Sequence, residues 1–254
     1  MKTVLLSLLL ALRCYAPTPL FFAQNGASAA AFSPADVSGL TIWLVADDIS
    51  GSDGDTFETW PAHGSTTISA TQSTVASRAT IQVSEVNGHR AVLTDGVNDW
   101  YDLSSTVSST ASWTVFVVQK RTSSGAYAVF LSNNNSSAMA PYSPVEWGAA
   151  SQTYLGTRTL QRYWSGIPSV DWHVLTGQDD AGTPYLWTDG TSRTLTPQAG
   201  GGAYDFARLF RQGTAYSSQY AAELIFYNRT LTTTERQNVE AYLRSPEKYG
   251  TPAP

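Results

Sequence analysis

Trp113-Thr114-Val115-Phe116-Val117-Val118 is apolar on both faces of a pleat, and Ala221-Ala222-Glu223-Leu224-Ile225-Phe226-Tyr227 is too, apart from its one acid. Side chains along a strand alternate between faces, so a run that is apolar at nearly every position must be covered on both sides. Both stretches therefore read as central strands. Outward from them, short β-favouring runs recur between Gly, Ser, Asn and Asp clusters, at 40–45, 90–93, 100–103, 127–131, 152–155, 171–176, 184–187 and 207–210. Many short strands separated by turn residues predict an all-β, antiparallel sandwich of the jelly-roll type.

Two helical signals frame this pattern. Ser33-Pro34-Ala35-Asp36 has an N-cap serine, a proline at the first helical position and an acid at the third, and Gly39 ends the turn almost at once. Near the end of the chain Thr232 and Glu235 form a capping box, Val239, Tyr242 and Leu243 fall on one face, and Pro246 stops the segment. One short C-terminal helix is expected there.

A chain of 254 residues buries roughly 70% of its extended surface on folding, enough for a core without staples. Its single cysteine, Cys14, excludes an internal disulfide framework and a thiolate zinc cage. Fifteen Lys plus Arg stand against twenty Asp plus Glu, for a net charge of −5. With three lysines in the whole chain, phosphate neutralisation is not available, so no nucleic-acid partner is expected.

Residues 1–31 are different in kind, with Lys2, an apolar run at 4–12 broken only by Ser7, Arg13, and a second apolar cluster at 20–22. The run is too short to span a bilayer, so no membrane span is expected. It reads either as a secretory signal, with small-residue cleavage sites at 27–31, or as an extended N-terminal arm that docks on a partner. The globular domain is placed at 32–254.

Three segments in order carry a family resemblance: Phe32-Ser-Pro-Ala-Asp-Val-Ser-Gly-Leu-Thr-Ile-Trp-Leu-Val-Ala-Asp47; Val86-Asn-Gly-His-Arg-Ala-Val-Leu-Thr-Asp-Gly-Val-Asn-Asp99; and Glu223-Leu-Ile-Phe-Tyr-Asn-Arg-Thr-Leu231, continuing to Lys248-Tyr-Gly250. Together they resemble the concanavalin A-like, laminin-G-like jelly rolls, over about residues 32 to 250. The resemblance implies turns at Asn87-Gly88 and Asp95-Gly96, and places Glu223 on a strand before the closing helix. Versions with this opening segment occur in bacteriophage structural proteins and in bacterial secreted proteins. The first expectation is accordingly a non-enzymatic virion protein of head-decoration or tail-fibre type, a homo-oligomer held to other virion proteins by its arm and displayed on the particle surface, with a host-surface glycan as a possible ligand. The alternative is a secreted, extracellular, lectin-like carbohydrate-binding module.

The residues give little support to catalysis. A retaining glycosidase on such a sheet needs two carboxylates on one strand face, about 5 Å apart. The seven glutamates (58, 85, 146, 223, 235, 240 and 247) form no such alternating set, and Glu223 reads as a hydrogen-bonded structural acid. No Gly-x-Ser-x-Gly elbow is present, and His173 with Asp171 reads as a structural pair. No catalytic residue and no organic cofactor are expected. For metals, Asp48, Ser50, Ser52, Asp53 and Asp55 concentrate hard oxygen donors in one loop, which leaves Ca²⁺ open beside the plainer reading of a solvated turn. For ligands, Tyr142, Trp147, Tyr163 and Trp164 in or beside loops, with Arg162 and Asn133 to Asn135 as polar companions, suit a sugar ring or a protein surface. Trp43 and Trp113 read as core.

Overall fold

A computed structural model describes residues 32–108, 112–123, 128–133, 146–148, 152–156, 161–166, 169–198 and 205–250. The expectations for 1–31 lie outside these residues. The large sheet runs, from one edge, Thr191–Arg193, Thr183–Thr188, His173–Asp180, Ser112–Arg121, Gln219–Tyr227, His89–Leu93 and Thr80–Val86. Leu40–Val45 also pairs with Gln219–Tyr227, on the half of that strand that His89–Leu93 leaves free. All these pairings are antiparallel. The opposing layer is built of two five-stranded pieces. One contains Gln161–Trp164, Gln152–Gly156 and Ala128–Val129; the other contains Tyr101–Ser108, Asp205–Leu209 and Leu131–Asn133. They meet through Phe130, which is fully buried. This is the expected concanavalin A-like antiparallel jelly-roll sandwich, with one C-terminal helix.

The doubly apolar strands are explained by two separate cores. Trp113, Val115 and Val117 face the interior between the layers, while Phe116 and Val118 join Val239 and Leu243 of the helix Thr233–Arg244 on the outer face of the large sheet. Along Gln219–Tyr227 the faces alternate in the same way, with one irregularity: the register slips between Ala221 and Glu223. That bulge puts Ala222 and Glu223 on the same side, the helix side, so the one acid of the run never enters the interior of the sandwich. The helix begins as its sequence requires, with Thr232 Oγ1 accepting the Glu235 N–H and Glu235 reaching back to the Thr232 N–H. Ser33 and Asp36 make the same reciprocal pair around the 3₁₀ turn Pro34–Asp36.

Two differences from the sequence reading have physical causes. Thr80–Val86 carries no clear pattern because only Ile81 and Val86 are buried along it and Ser84 takes a left-handed φ of 58°. Tyr101–Ser108 extends beyond the expected 100–103 because Ser104, Ser105 and Thr106 are exposed hydroxyl residues that hide the strand in the sequence, while the ladder with Asp205–Leu209 and the buried Val107 carry it on.

Candidate functional site

At one end of the large sheet, where His89–Leu93 and Ser112–Arg121 finish and Gln219–Tyr227 begins, lies a cleft of ≈ 500 Å³. Thr56, Thr80, Thr94, Thr122 and Ser218 bring hydroxyls to its wall, Asp95 and Asp99 bring carboxylates, and Val75 and Leu93 bring apolar surface. Val75 is 64% exposed, an apolar group held open at the rim.

The wall is built by the turn Asp95-Gly96-Val97-Asn98-Asp99. Asp95 Oδ1 accepts the N–H groups of Val97 (2.7 Å) and Asn98 (3.3 Å), and Asn98 Nδ2 donates to the Ala76 carbonyl. Gly96 has φ +79°, and a Cβ there would stand 2.9 Å from the Ser218 Cβ, so both conformation and close packing require glycine. Asp99 Oδ2 accepts the Asp95 N–H at 2.9 Å, and the residue is 5% exposed. Burial pushes the Asp99 carboxyl up to about 6, the Asp95 N–H opposes the rise, and the neighbouring Asp95 charge adds to it. Thr122 and Ser218 share a 2.7 Å hydroxyl contact, and Thr94 is locked to Gln219 through both its donor and its acceptor. Arg78 is not a free cation, since it holds Glu58 at 2.7 Å and the Gln72 and Ser73 carbonyls. The cleft thus offers hydroxyls, one strained carboxyl and an apolar lip, in the size range of small-molecule sites.

The residues singled out in the sequence lie elsewhere. Tyr142, Asn134 and Asn135 are outside the described residues; Asn133 ends the strand Leu131–Asn133, and Trp147 stands in Glu146–Gly148, in register with Thr153. Arg162, Tyr163 and Trp164 are on the strand Gln161–Trp164 rather than in a loop. Trp164 packs against the sandwich core, with the Arg193 guanidinium 4.5 Å from its ring and the Gly166 backbone closing on its benzo edge.

The loop weighed for calcium directs its carboxylates to the chain itself. Among the described residues no three His, Cys, Asp or Glu side chains gather as a metal group. Asp48 turns to His63 (2.6 Å), Asp53 accepts the Val83 N–H, and Asp55 accepts the Ser52 N–H. Each of those three carboxylates thus ties the chain to itself. The partner of His173 is also not Asp171. Its Nδ1 lies 2.6 Å from Asp189, while Asp171 accepts from Ser169. Glu223 is structural, as expected. Its side chain is wholly buried and takes bonds from Trp43 Nε1 (2.7 Å), the Tyr249 hydroxyl (2.7 Å) and Lys248 Nζ (3.1 Å). Burial, with the Glu223 charge beside it, holds the Tyr249 hydroxyl well above its ordinary value, so it remains a donor.

In the sequence Asp95-Gly96 reads only as a turn. The signal for the cleft was available in the same five residues, since an acid at each end of a tight turn brings two carboxylates together.

No family model matches the chain, and no curated protein matches it in sequence. Solved structures do resemble it. The Trypanosoma rangeli sialidase superposes with a TM-score of 0.53 at 11% identity, over 83% of this chain and 34% of the sialidase. The binding domain of Paraclostridial Mosquitocidal Protein 1 gives 0.54 at 12% identity, over 84% of this chain and 54% of that one. The botulinum neurotoxin serotype D binding domain gives 0.54 at 9%, over 82% and 51%. This chain therefore spans about a third of the sialidase and about half of each toxin domain. At these identities the likeness establishes the fold.

Proposed function

We propose that the chain is a carbohydrate-binding module that holds a glycan, free or on a receptor, in the cleft beside Asp95 and Asp99 without turning it over. The observation that carries this reading is the wall of the cleft. Thr56, Thr80, Thr122 and Ser218 line it with hydroxyl-bearing side chains, the Asp95 and Asp99 carboxyls stand among them, and Val75 and Leu93 offer apolar surface to the C–H face of a sugar ring. Two of the similar structures are named as binding domains, which supports recognition as the role of this fold here. This favours the binding-module expectation over the virion one.

The non-enzymatic part of the proposal rests on how the acids are used. Glu223 is enclosed by its three donors, and Asp95 and Asp99 both accept backbone N–H groups of the turn they share, which gives all three a bonding role within the fold. The test is a glycan array on the full chain followed by calorimetric titration of the hits. Expected is a glycan whose affinity drops at least about tenfold in Asp99→Ala and in Val75→Asp, with no product released. A panel without hits, or hits indifferent to both substitutions, would overturn the assignment of the cleft.

A further inference from the structure

On the edge of the sandwich away from the cleft, two arginines stand beside one tryptophan. Arg162 pairs in register with Leu155, and Arg193 with Leu186. Both leucines are buried core residues, and directly opposed residues of an antiparallel pair share a face. Arg162 and Arg193 therefore project from the inner faces of opposite layers. Trp164 lies between them: it is two residues from Arg162 on the same face of its strand, and its ring carries the Arg193 guanidinium at 4.5 Å.

Among the described residues no carboxylate forms an ion pair with Arg162 or Arg193. The Nε atom of each is sealed from solvent and has no hydrogen-bond partner. Both residues are half-buried, so they keep part of their surface open to the outside. Buried donors in native proteins are ordinarily satisfied, and a desolvated guanidinium without an acceptor is costly. Two such groups on inward faces beside one tryptophan, in a chain of net charge −5 and with no acceptor for either among the described residues, suit an acceptor supplied from outside. A guanidinium stacked on an aromatic ring is held rigid, and its terminal Nη pair can grip an oxyanion through two parallel N–H bonds.

We propose that the gap between Arg162 and Arg193, floored by Trp164, is an oxyanion site that takes the carboxylate or sulfate group of an acidic saccharide. It does not depend on the cleft. The two sites lie on different elements and answer to different ligand chemistry: neutral hydroxylated rings in one, a negative group in the other.

The test titrates the full chain with oligogalacturonate, dextran sulfate, neutral dextran and an acidic peptide, at two salt concentrations. The proteins are wild type, Arg162→Met, Arg193→Met, Arg211→Met as a control for general charge, and Asp99→Asn as a control for the cleft. Melting curves confirm that each variant is folded. Expected is binding of at least one acidic saccharide, weakened at least about tenfold in Arg162→Met and in Arg193→Met and unchanged in Arg211→Met and Asp99→Asn. Preference for the uronate or for the sulfate polymer tells which oxyanion the site takes. Equal weakening in Arg211→Met would reduce the effect to nonspecific attraction and overturn the proposal. So would equal binding of the acidic peptide, or the absence of binding to either acidic polymer. Acidic-saccharide binding that needs both arginines, alongside a neutral-glycan panel with no hits, would sustain this site while the cleft reading fell.

Discussion

The outer face of the large sheet and the open edge of the sandwich treat buried charge in opposite ways. Under the helix, Arg236 holds Glu240 at 2.6 Å, Glu240 also accepts from Thr176 at 2.9 Å, and the Arg236 guanidinium lies 4.2 Å from the Trp187 ring. Glu223 nearby is surrounded by three donors. At the edge, Arg162 and Arg193 have buried donors and, among the described residues, no acid paired with them. The first region closes its own electrostatics and serves stability; the second leaves them open, which is how a protein keeps a place for a ligand. Interior charges are retained where something answers them, and the location of that partner, inside the chain or outside it, separates scaffold from site.

The sharpest way to break the contrast is to remove one partner from the closed region. Glu240→Ala leaves Arg236 buried without its carboxylate and is expected to cost about 3–5 kcal/mol in urea unfolding, the usual penalty for an orphaned buried charge. A loss below about 1 kcal/mol would mean that the helix face is not closed in the sense argued.

Next in size is the pH response of the cleft. Asp99 holds its proton up to about 6 in the folded protein against 3.8 when unfolded, so the folded state binds that proton more tightly. Its favourable contribution is complete below about 4 and is lost as pH rises to about 6. Wild type should therefore lose stability relative to Asp99→Asn across that window, and a constant difference would show that Asp99 is not desolvated. Glu235 has the reverse sign. The Arg229 side chain, aided by the Thr232 N–H, lowers it from 4.5 to about 2, so its contribution is present above 4.5 and fades as pH falls toward 2.

Thr232→Ala, which removes the N-cap acceptor of the helix, is expected to cost about 1 kcal/mol and to leave ligand binding unchanged. The smallest effect belongs to the open edge. Arg193→Met exchanges a guanidinium with an unanswered donor for an apolar side chain on the Trp164 ring, so unliganded stability should change by no more than about 0.5 kcal/mol or should rise. A loss of about 3 kcal/mol would place a partner for Arg193 inside the chain and dissolve the contrast.

The sequence announced the scaffold far more clearly than the sites. Trp113 to Val118 and Ala221 to Tyr227 reveal a sheet covered on both faces because burial writes itself into every position of a central strand. The caps at Ser33 and Thr232 are equally plain, since local hydrogen bonds need residues only three apart. The cleft was half visible: Asp95 and Asp99 are neighbours in sequence, but Thr122 and Ser218 join them only through the ladder between Ser112–Arg121 and Gln219–Tyr227. The edge pair illustrates the limit. Arg162 and Trp164 stood out as an aromatic and cationic cluster, whereas Arg193 carries no mark until the two layers face each other. The same holds for His173, whose acid lies sixteen residues away at Asp189, across a hairpin, rather than at Asp171.

The position of Gln219–Tyr227 also bears on how the protein is made. This strand forms ladders with Ser112–Arg121, Leu40–Val45 and His89–Leu93, yet nearly the whole domain precedes it along the chain. During synthesis those three segments emerge with their shared neighbour still inside the ribosome, and the large sheet cannot close until its late central strand arrives. Pairings of such long sequence separation fold slowly, and an interrupted translation product ending before residue 219 would present three strand edges with nothing to occupy them.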